Sequence, residues 1–342
     1  MNITLKKIAE LAEVSRGTVD KVIHNRPGVG DETRKRVNSL LAMHNYEPYK
    51  AGRLLANHKK EIKAAALIVV DREDEYFQMV KNGMEMAYRE LKQNSFFLKY
   101  EMIARNDENI IIQSLTSLGE ENINAIILPP YNSEKVSALI GELTAKGINI
   151  ITYSTDIKNR GRLFFVGNDY YKSGAVAASL MAKMLNGSGE VILFEGDKGV
   201  KCHEDRKEGF INFISTNCPD IRIIGQHESI KSPLEIYFYT REIIKKHPSI
   251  NGIFIVSRGV EGIVAAIKGN EWDMRPKIVT FDIYADTEKY LKSGDIDFVV
   301  DQNPTAQGKI IINTLYEYLF YGKAIENDNI YTPMAIYIKE NI

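Results

Sequence analysis

Leu5-Lys6-Lys7-Ile8-Ala9-Glu10-Leu11-Ala12-Glu13-Val14-Ser15-Arg16-Gly17-Thr18-Val19-Asp20-Lys21-Val22-Ile23-His24-Asn25 is the stretch that decides how this chain folds. Leu5, Ile8, Leu11 and Ala12 fall at helical spacing, with Thr4 placed to cap them. Ser15 can cap a second helix that carries Val19, Val22 and Ile23 on one face. Ala9 is small enough to let the two helices approach, and the tight turn runs through Glu13-Val14. Asn25-Arg26-Pro27-Gly28 breaks the pattern as a loop. A third helix starts near Asp31 and turns Val37, Leu40 and Leu41 inward. It stops at Glu47-Pro48, because the residue before a proline is pushed out of helical conformation. Residues 1–47 therefore read as an all-α headpiece with a helix-turn-helix, whose second helix projects its first-turn side chains toward a major groove.

Charge supports a polyanion partner for this end. Residues 1–63 hold 13 Lys+Arg against 7 Asp+Glu, a net of +6, which leaves −7 on the remainder of a chain whose total is −1. A basic segment on an acidic body is the expected footprint of a nucleic-acid headpiece. Residues 48–63, which include Tyr49-Lys50-Ala51-Gly52-Arg53-Leu54-Leu55, read as a basic hinge able to form two helical turns. Gly52 weakens so short a helix, so its ordering is expected to couple to binding.

From Lys63 onward, strands and helices alternate through residues 64–342. Apolar runs recur at Ala64–Asp71, Phe96–Ile103, Ala125–Pro129, Ile148–Tyr153, Glu190–Glu195, Arg222–Gly225, Gly252–Ser257, Lys277–Asp282 and Phe298–Asp301. Amphipathic stretches such as Tyr76–Lys92, Ser133–Lys146, Tyr171–Leu185 and Pro233–His247 separate them. Continuous buried strands between helices mean parallel sheets covered on both faces. The series runs twice, to about Ser154 and again from about Phe164. Two doubly wound lobes in that order place a ligand cleft between the C-terminal ends of their strands.

The headpiece resembles that of the LacI/GalR family, whose pattern Ile-Ala-x-x-Ala-x-Val-Ser-x-x-Thr-Val is present at Ile8-Ala9, Ala12, Val14-Ser15 and Thr18-Val19. The likeness continues at Val29, Thr33-Arg34, Val37 and Tyr46-x-Pro48. It implies an α/β two-lobed, doubly wound, periplasmic-binding-protein-like body behind the headpiece. It also implies a dimeric, cytoplasmic transcription regulator, here taken as a repressor. Such a protein binds a pseudo-palindromic operator and senses a sugar or sugar derivative between its lobes.

Residue roles follow from this likeness. Arg16 and Gly17 occupy base-reading sites, although Gly17 has nothing to read with, and Lys21 stands where arginine is usual. Ser15, Thr18 and Asn25 suit phosphates, and Thr4 and Arg53 join them as candidate DNA contacts. Leu55 aligns with the leucine that wedges into the minor groove. Asp20 and Gly30, where serines are usual, are departures. For the effector, the strand ends bring up Asp71, Arg72, Tyr76, Phe77, Tyr131, Asp156, Arg206, Ser257, Arg258, Asp282 and Gln302. Carboxylates, guanidiniums and amides beside aromatic faces suit hydroxyls that donate and accept, and an acidic or phosphorylated sugar suits the three arginines equally.

Other classes find little support. With hydrophobic residues at 44% and charged residues at 26%, the chain has the balance of a soluble globular protein, and no apolar run is long enough for a membrane span. The N-terminus turns polar at once, with no apolar stretch that could act as a signal peptide, so no export signal is expected. GxSxG, P-loop, HExxH and strand-linked GxGxxG patterns are absent, so no enzyme and no cofactor are expected. Cys202 and Cys218 stand outside any CxxC pattern, and Cys202-His203 lacks a second ligand pair, so no metal site is expected.

Overall fold

The computed structural model describes residues 5–23, 26–43, 61–70, 75–91, 95–104, 106–157, 161–196, 200–228, 232–272 and 274–342. Thr4, Asn25, Arg53, Leu55, Asp71, Arg72 and residues 48–60 of the expected hinge lie outside the described residues. Contacts divide the chain into two compact units, Met1–Lys60 with Tyr316–Ala324, and Glu61–Leu315 with Ile325–Ile342.

In the first unit, α1 (Leu5–Leu11), α2 (Arg16–Ile23) and α3 (Asp31–Met43) surround Ile8, Ala9, Ala12, Val19, Val22 and Val37. Glu13 takes the left-handed conformation at φ 53°, and the Val14 amide donates to the Ala9 carbonyl at 3.0 Å, closing the turn between the first two helices. One expectation fails: Leu11 is 44% exposed. At 100° per residue the inward face of α1 is Leu5, Ile8, Ala9 and Ala12, and Leu11 lies to one side of it. Asp31 and Glu32 open α3, where their charge favours the positive end of the helix.

The second unit holds two six-stranded sheets. The first runs β11-β5-β4-β3-β1-β2 and is parallel throughout. Its strands are β1 (Ile62–Val69), β2 (Phe96–Ile103), β3 (Ala125–Leu128), β4 (Asn149–Tyr153), β5 (Phe164–Gly167) and β11 (Asn329–Tyr331). Their crossover helices are α4 (Glu75–Leu91), α5 (Glu108–Gly119) and α6 (Glu134–Ala145).

The second sheet runs β12-β10-β9-β8-β6-β7, parallel except for β12 against β10. It comprises β6 (Gly189–Glu195), β7 (Ile221–Glu228), β8 (Gly252–Ile255), β9 (Lys277–Phe281), β10 (Phe298–Asp301) and β12 (Ala335–Tyr337). Its helices are α7 (Tyr170–Met184), α8 (Lys201–Asn217), α9 (Pro233–Lys246), α10 (Val260–Lys268) and α11 (Ala285–Ser293).

Strand periodicity explains why these runs are apolar on both faces. Ile192, Phe194, Ile253, Ile255, Ile278 and Val299 turn to one side, against Ile243, Ile263 and Leu291. Val191, Leu193, Phe254, Val256, Val279 and Val300 turn to the other, against Ala177, Met181, Phe210 and Ile214. Each fully buried aliphatic or aromatic side chain contributes roughly 1.5–3 kcal/mol.

The division between lobes departs from the expected two consecutive series. Phe164 does not open the second lobe, because β5 pairs with β4 in the first sheet. The chain crosses after Gly167, returns after Asp301 into α12 (Pro304–Tyr316), and crosses again between Tyr331 and Ala335. Strands β11 and β12, only three residues each, carry too little pattern to be read as strands.

Reciprocal glycines set two helix pairs close together. A Cβ on Gly83 of α4 would lie 2.0 Å from the Thr305 carbonyl oxygen, and one on Gly308 of α12 would lie 2.0 Å from that of Val80. Gly174 of α7 and Gly209 of α8 do the same against Arg206 and Tyr171, each at 1.9 Å.

Candidate effector cleft and nucleic-acid interface

Asp282 immediately follows β9, in the left-handed conformation at φ 62° that a non-glycine residue adopts only under local constraint. The constraint is visible: its amide donates to the Val300 carbonyl at 3.0 Å, and the Thr287 hydroxyl donates to its carbonyl at 2.7 Å. The turn aims a buried carboxylate past the sheet edge. Its Oδ2 accepts from Gln302 Nε2 at 2.8 Å and from the Tyr284 hydroxyl at 3.1 Å, with Arg206 Nη2 at 3.9 Å. Burial pushes the Asp282 carboxyl up to about 6, with the Arg206 guanidinium working against the rise.

Arg206 reaches this point from the first half of α8, brought close by the Gly174–Gly209 contact. Its Nη1 donates to the Val256 carbonyl at 3.1 Å, and its plane lies 3.9 Å from the Phe281 ring centroid and 5.2 Å from that of Tyr170. Burial penalises its charge, but Asp282, together with Cys202, Tyr170 and Tyr284, more than offsets that cost and raises the guanidinium above its ordinary value. Among the described residues, four buried atoms in this group have no hydrogen-bond partner: Asp282 Oδ1, Gln302 Oε1, Arg206 Nε and the Tyr170 hydroxyl. Unsatisfied buried polar atoms cost about 1–3 kcal/mol each, so a group of them marks a place built for something else to bind.

From the first lobe, Tyr76 is buried at the start of α4 and its hydroxyl donates to Gln307 Oε1. Burial pushes its phenol well above the ordinary value, and Tyr170 and Asp282 across the cleft add to the rise. Phe77 packs edge-on against Tyr76 and Tyr153, at centroid distances of 5.2 and 6.1 Å. Of the expected effector residues, the structure thus brings together Tyr76, Arg206, Asp282 and Gln302, with Phe77 behind them.

It engages Asp156 elsewhere. Arg162 Nη2 and Nε hold that carboxylate at 2.8–3.0 Å, and the Thr152 hydroxyl donates to it at 2.8 Å. The same arginine donates to the Asp328 carbonyl and Asn329 Oδ1, both at 2.7 Å, tying this loop to β11. Tyr131, Ser257 and Arg258 are half-buried at their strand ends, and no described contact joins Tyr131 to the Asp282 group.

Sequence reasoning missed Tyr284, Gln307 and Thr332. Thr332 Oγ1 lies 3.0 Å from the Gly167 carbonyl and 2.8 Å from that of Gln302, and Asn168 Nδ2 donates to the Thr332 carbonyl at 3.1 Å. Gln307 Nε2 donates to the Gln302 carbonyl at 2.9 Å. One residue therefore touches all three crossovers, and Gln307 links that junction to Tyr76. Only the buried threonine after β11 hints at this, and β11 itself is not legible.

At the headpiece, α2 exposes Arg16, Gly17 and Lys21. Ser15 Oγ accepts from the Thr18 amide at 3.1 Å and lies 2.9 Å from the Thr18 hydroxyl, so both hydroxyls serve the cap. A Cβ on Gly17 would meet only Ser15 Oγ, at 3.7 Å, so packing does not demand a glycine there. Asp20, unexplained from sequence, lies 3.4 Å from Arg26 Nη1. An exposed pair of this kind adds little stability, but it offsets a negative charge on α2.

Residues 65–324 match the periplasmic binding protein domain family, and residues 4–49 match the bacterial regulatory proteins of the lacI family. The chain belongs to the periplasmic-binding-protein family and carries a lacI-type headpiece. It is a DNA-binding transcription regulator.

Catabolite control protein A of Staphylococcus epidermidis is 25% identical over 246 residues, covering 69% of this chain and 70% of that protein. A probable HTH-type transcriptional repressor, ExuR of Bacillus subtilis, is 24% identical over 221 residues, covering 61% and 60%. Among solved structures, the glucose-galactose binding protein GanP of Geobacillus stearothermophilus superposes with a TM-score of 0.75 at 22% identity, covering 83% of this chain and 99% of that one. That likeness fixes the fold of the body. Among the described residues, no helix is long and apolar enough to cross a membrane.

Proposed function

We propose that this regulator is a cytoplasmic homodimeric repressor whose affinity for a pseudo-palindromic operator is set by a sugar bound between its two lobes. The observation that carries the reading is the buried Arg206–Asp282–Gln302 group, left with unsatisfied donor and acceptor atoms beside the Phe281 ring. Hydroxyls of a sugar satisfy both kinds, while its C–H faces pack on rings. The relatives, a probable transcriptional repressor and a glucose-galactose binding protein among them, support the same reading.

In this reading residues 1–47 bind DNA, 48–63 form the hinge, and 64–342 bind effector and dimerise. Arg16 and Lys21 read base edges, Leu55 wedges the minor groove, and Arg53 contacts phosphate. The effector acts by binding one lobe arrangement better than the other, which is sufficient to couple the two sites. The test is selection of an operator from random duplexes, followed by footprinting of wild type, Arg16→Ala and Leu55→Ala. Arg16→Ala is expected to relax sequence preference and Leu55→Ala to reduce bending; unchanged footprints in both would sink the model.

A further inference from the structure

We propose that Cys202 is a peroxide-modifiable thiol at the seam between the two lobes, and that its sulfenic acid is held by the Tyr170 hydroxyl and Arg206 Nε. The modification is independent of which ligand the cleft takes.

The first argument is the place of the thiol. Cys202 is in no disulfide, and it forms one buried cluster with Phe165, Tyr170 and Val200. Phe165 lies on β5 of the first sheet, whereas Val200 and Cys202 open α8 of the second lobe and Tyr170 begins α7 just past the first crossover. The cluster therefore spans both lobes, and the seam that buries the thiol is the one that opens when the lobes part.

The second argument is the pair of donors beside it. Cys202 and Arg206 stand four residues apart on α8, one turn along the same face. The guanidinium also lies 5.2 Å from the Tyr170 ring centroid. Burial pushes the Tyr170 phenol well above its ordinary value, and Cys202 adds more to the rise than any other neighbour. Tyr170 and Arg206 are each more than nine-tenths buried, yet among the described residues the Tyr170 hydroxyl and Arg206 Nε have no hydrogen-bond partner. Arg206 commits Nη1 to the Val256 carbonyl and turns Nη2 toward Asp282, which leaves Nε for a different acceptor. A thiol sulfur accepts only weakly. One oxygen added to that sulfur supplies what both donors lack.

Reactivity follows from the helix. Cys202 sits in the first turn of α8, whose N-cap, Val200, makes no side-chain cap bond, and the Asp205 carboxylate one turn on is paired with Lys201 at 2.6 Å. Once the lobes part, burial no longer opposes ionisation, and the helix N–H groups and the Arg206 guanidinium favour the thiolate. The thiolate attacks one oxygen of hydrogen peroxide, and the S–O bond forms as the O–O bond breaks. The second oxygen leaves as hydroxide and takes up the proton the thiol gave, becoming water. Sulfur loses two electrons and the peroxide gains them. Cys218 is the internal comparison: it is more exposed, but it caps the other end of α8 and packs on the cluster around Phe210 and Ile214.

The test is oxidation of the full-length protein with hydrogen peroxide, quenched at successive times into urea with excess dimedone, the adducts being located by peptide mass. The expected adduct is on Cys202, forming at least about tenfold faster than on Cys218, absent from Cys202→Ser and kept in Cys218→Ser. Adducts confined to Cys218, or equal rates at the two cysteines, would overturn the inference. Tyr170→Phe tests the holding group. Its Cys202 sulfenic acid is expected to be reduced by dithiothreitol roughly threefold to tenfold faster than that of wild type, the loss of one hydrogen bond. Arg206→Lys, which removes Nε, gives the same readout for the second donor. Unchanged lifetimes in both variants, each still folded by circular dichroism, would also overturn it.

Discussion

The Thr332 hydroxyl lies 2.8 Å from the Gln302 carbonyl, joining the third crossover to the second through a single buried proton that Gly167 also attracts at 3.0 Å. Thr332→Val keeps the shape and removes the proton, while Gln302 keeps its bond from Gln307 Nε2 and Gly167 keeps its bond from the backbone amide of residue 332. The expected cost is that of one lost hydrogen bond, about 0.5–1.5 kcal/mol, read as a lower urea midpoint at unchanged slope.

The Gly83–Gly308 contact predicts a larger effect. Gly308→Ala forces a methyl to within 2.0 Å of the Val80 carbonyl oxygen, and backbone cannot step aside as a side chain can. The helices α4 and α12 must separate, at roughly 1–3 kcal/mol or more. A melting temperature within a degree of wild type would show the pair to be looser than described.

Asp282 gives the protein a pH signature. Its folded value of about 6 lies above the ordinary 3.8, so the folded state holds this proton more tightly than the unfolded chain. The associated stability is fully present below about pH 4 and is lost as the pH rises through about 6. Relative to Asp282→Asn, wild type is expected to lose on the order of 2–3 kcal/mol of unfolding free energy between pH 4 and 7. Parallel pH profiles for the two proteins would contradict it.

Tyr76→Phe separates the cleft aromatic from the crossover junction. Gln307 Oε1 then loses the hydroxyl that satisfies it, while ring packing on Phe77 persists. We expect a modest stability loss, about 1–2 kcal/mol, in chemical denaturation.

The headpiece is legible because its helices are short and local. Ser15, Val19 and Val22 do what their spacing says, and only Leu11 misleads, since hydrophobicity names candidates for a face without naming its centre. Arg206, Asp282 and Gln302 are legible because each ends a buried strand or opens the helix after one. Gln307 and Thr332 are not, because they have partners up to 231 positions away, as for Tyr76 and Gln307, whereas Tyr284 lies only two residues from Asp282 and no spacing pattern singles it out. Asp156 misleads for the same reason: its partner is Arg162, and the anchor for both is β11, near the end of the chain.

The late return of β11 to the first sheet bears on how the protein is made. Ribosomal synthesis delivers β1 to β5 early, yet β5 stays an uncovered edge until residues 329–331 emerge, after every helix of the second lobe. The lobe begun first thus waits for its last strand until almost the end of the chain. A chain halted near residue 300 would present that exposed edge to its neighbours, so truncation there is expected to yield aggregates rather than a smaller working sensor.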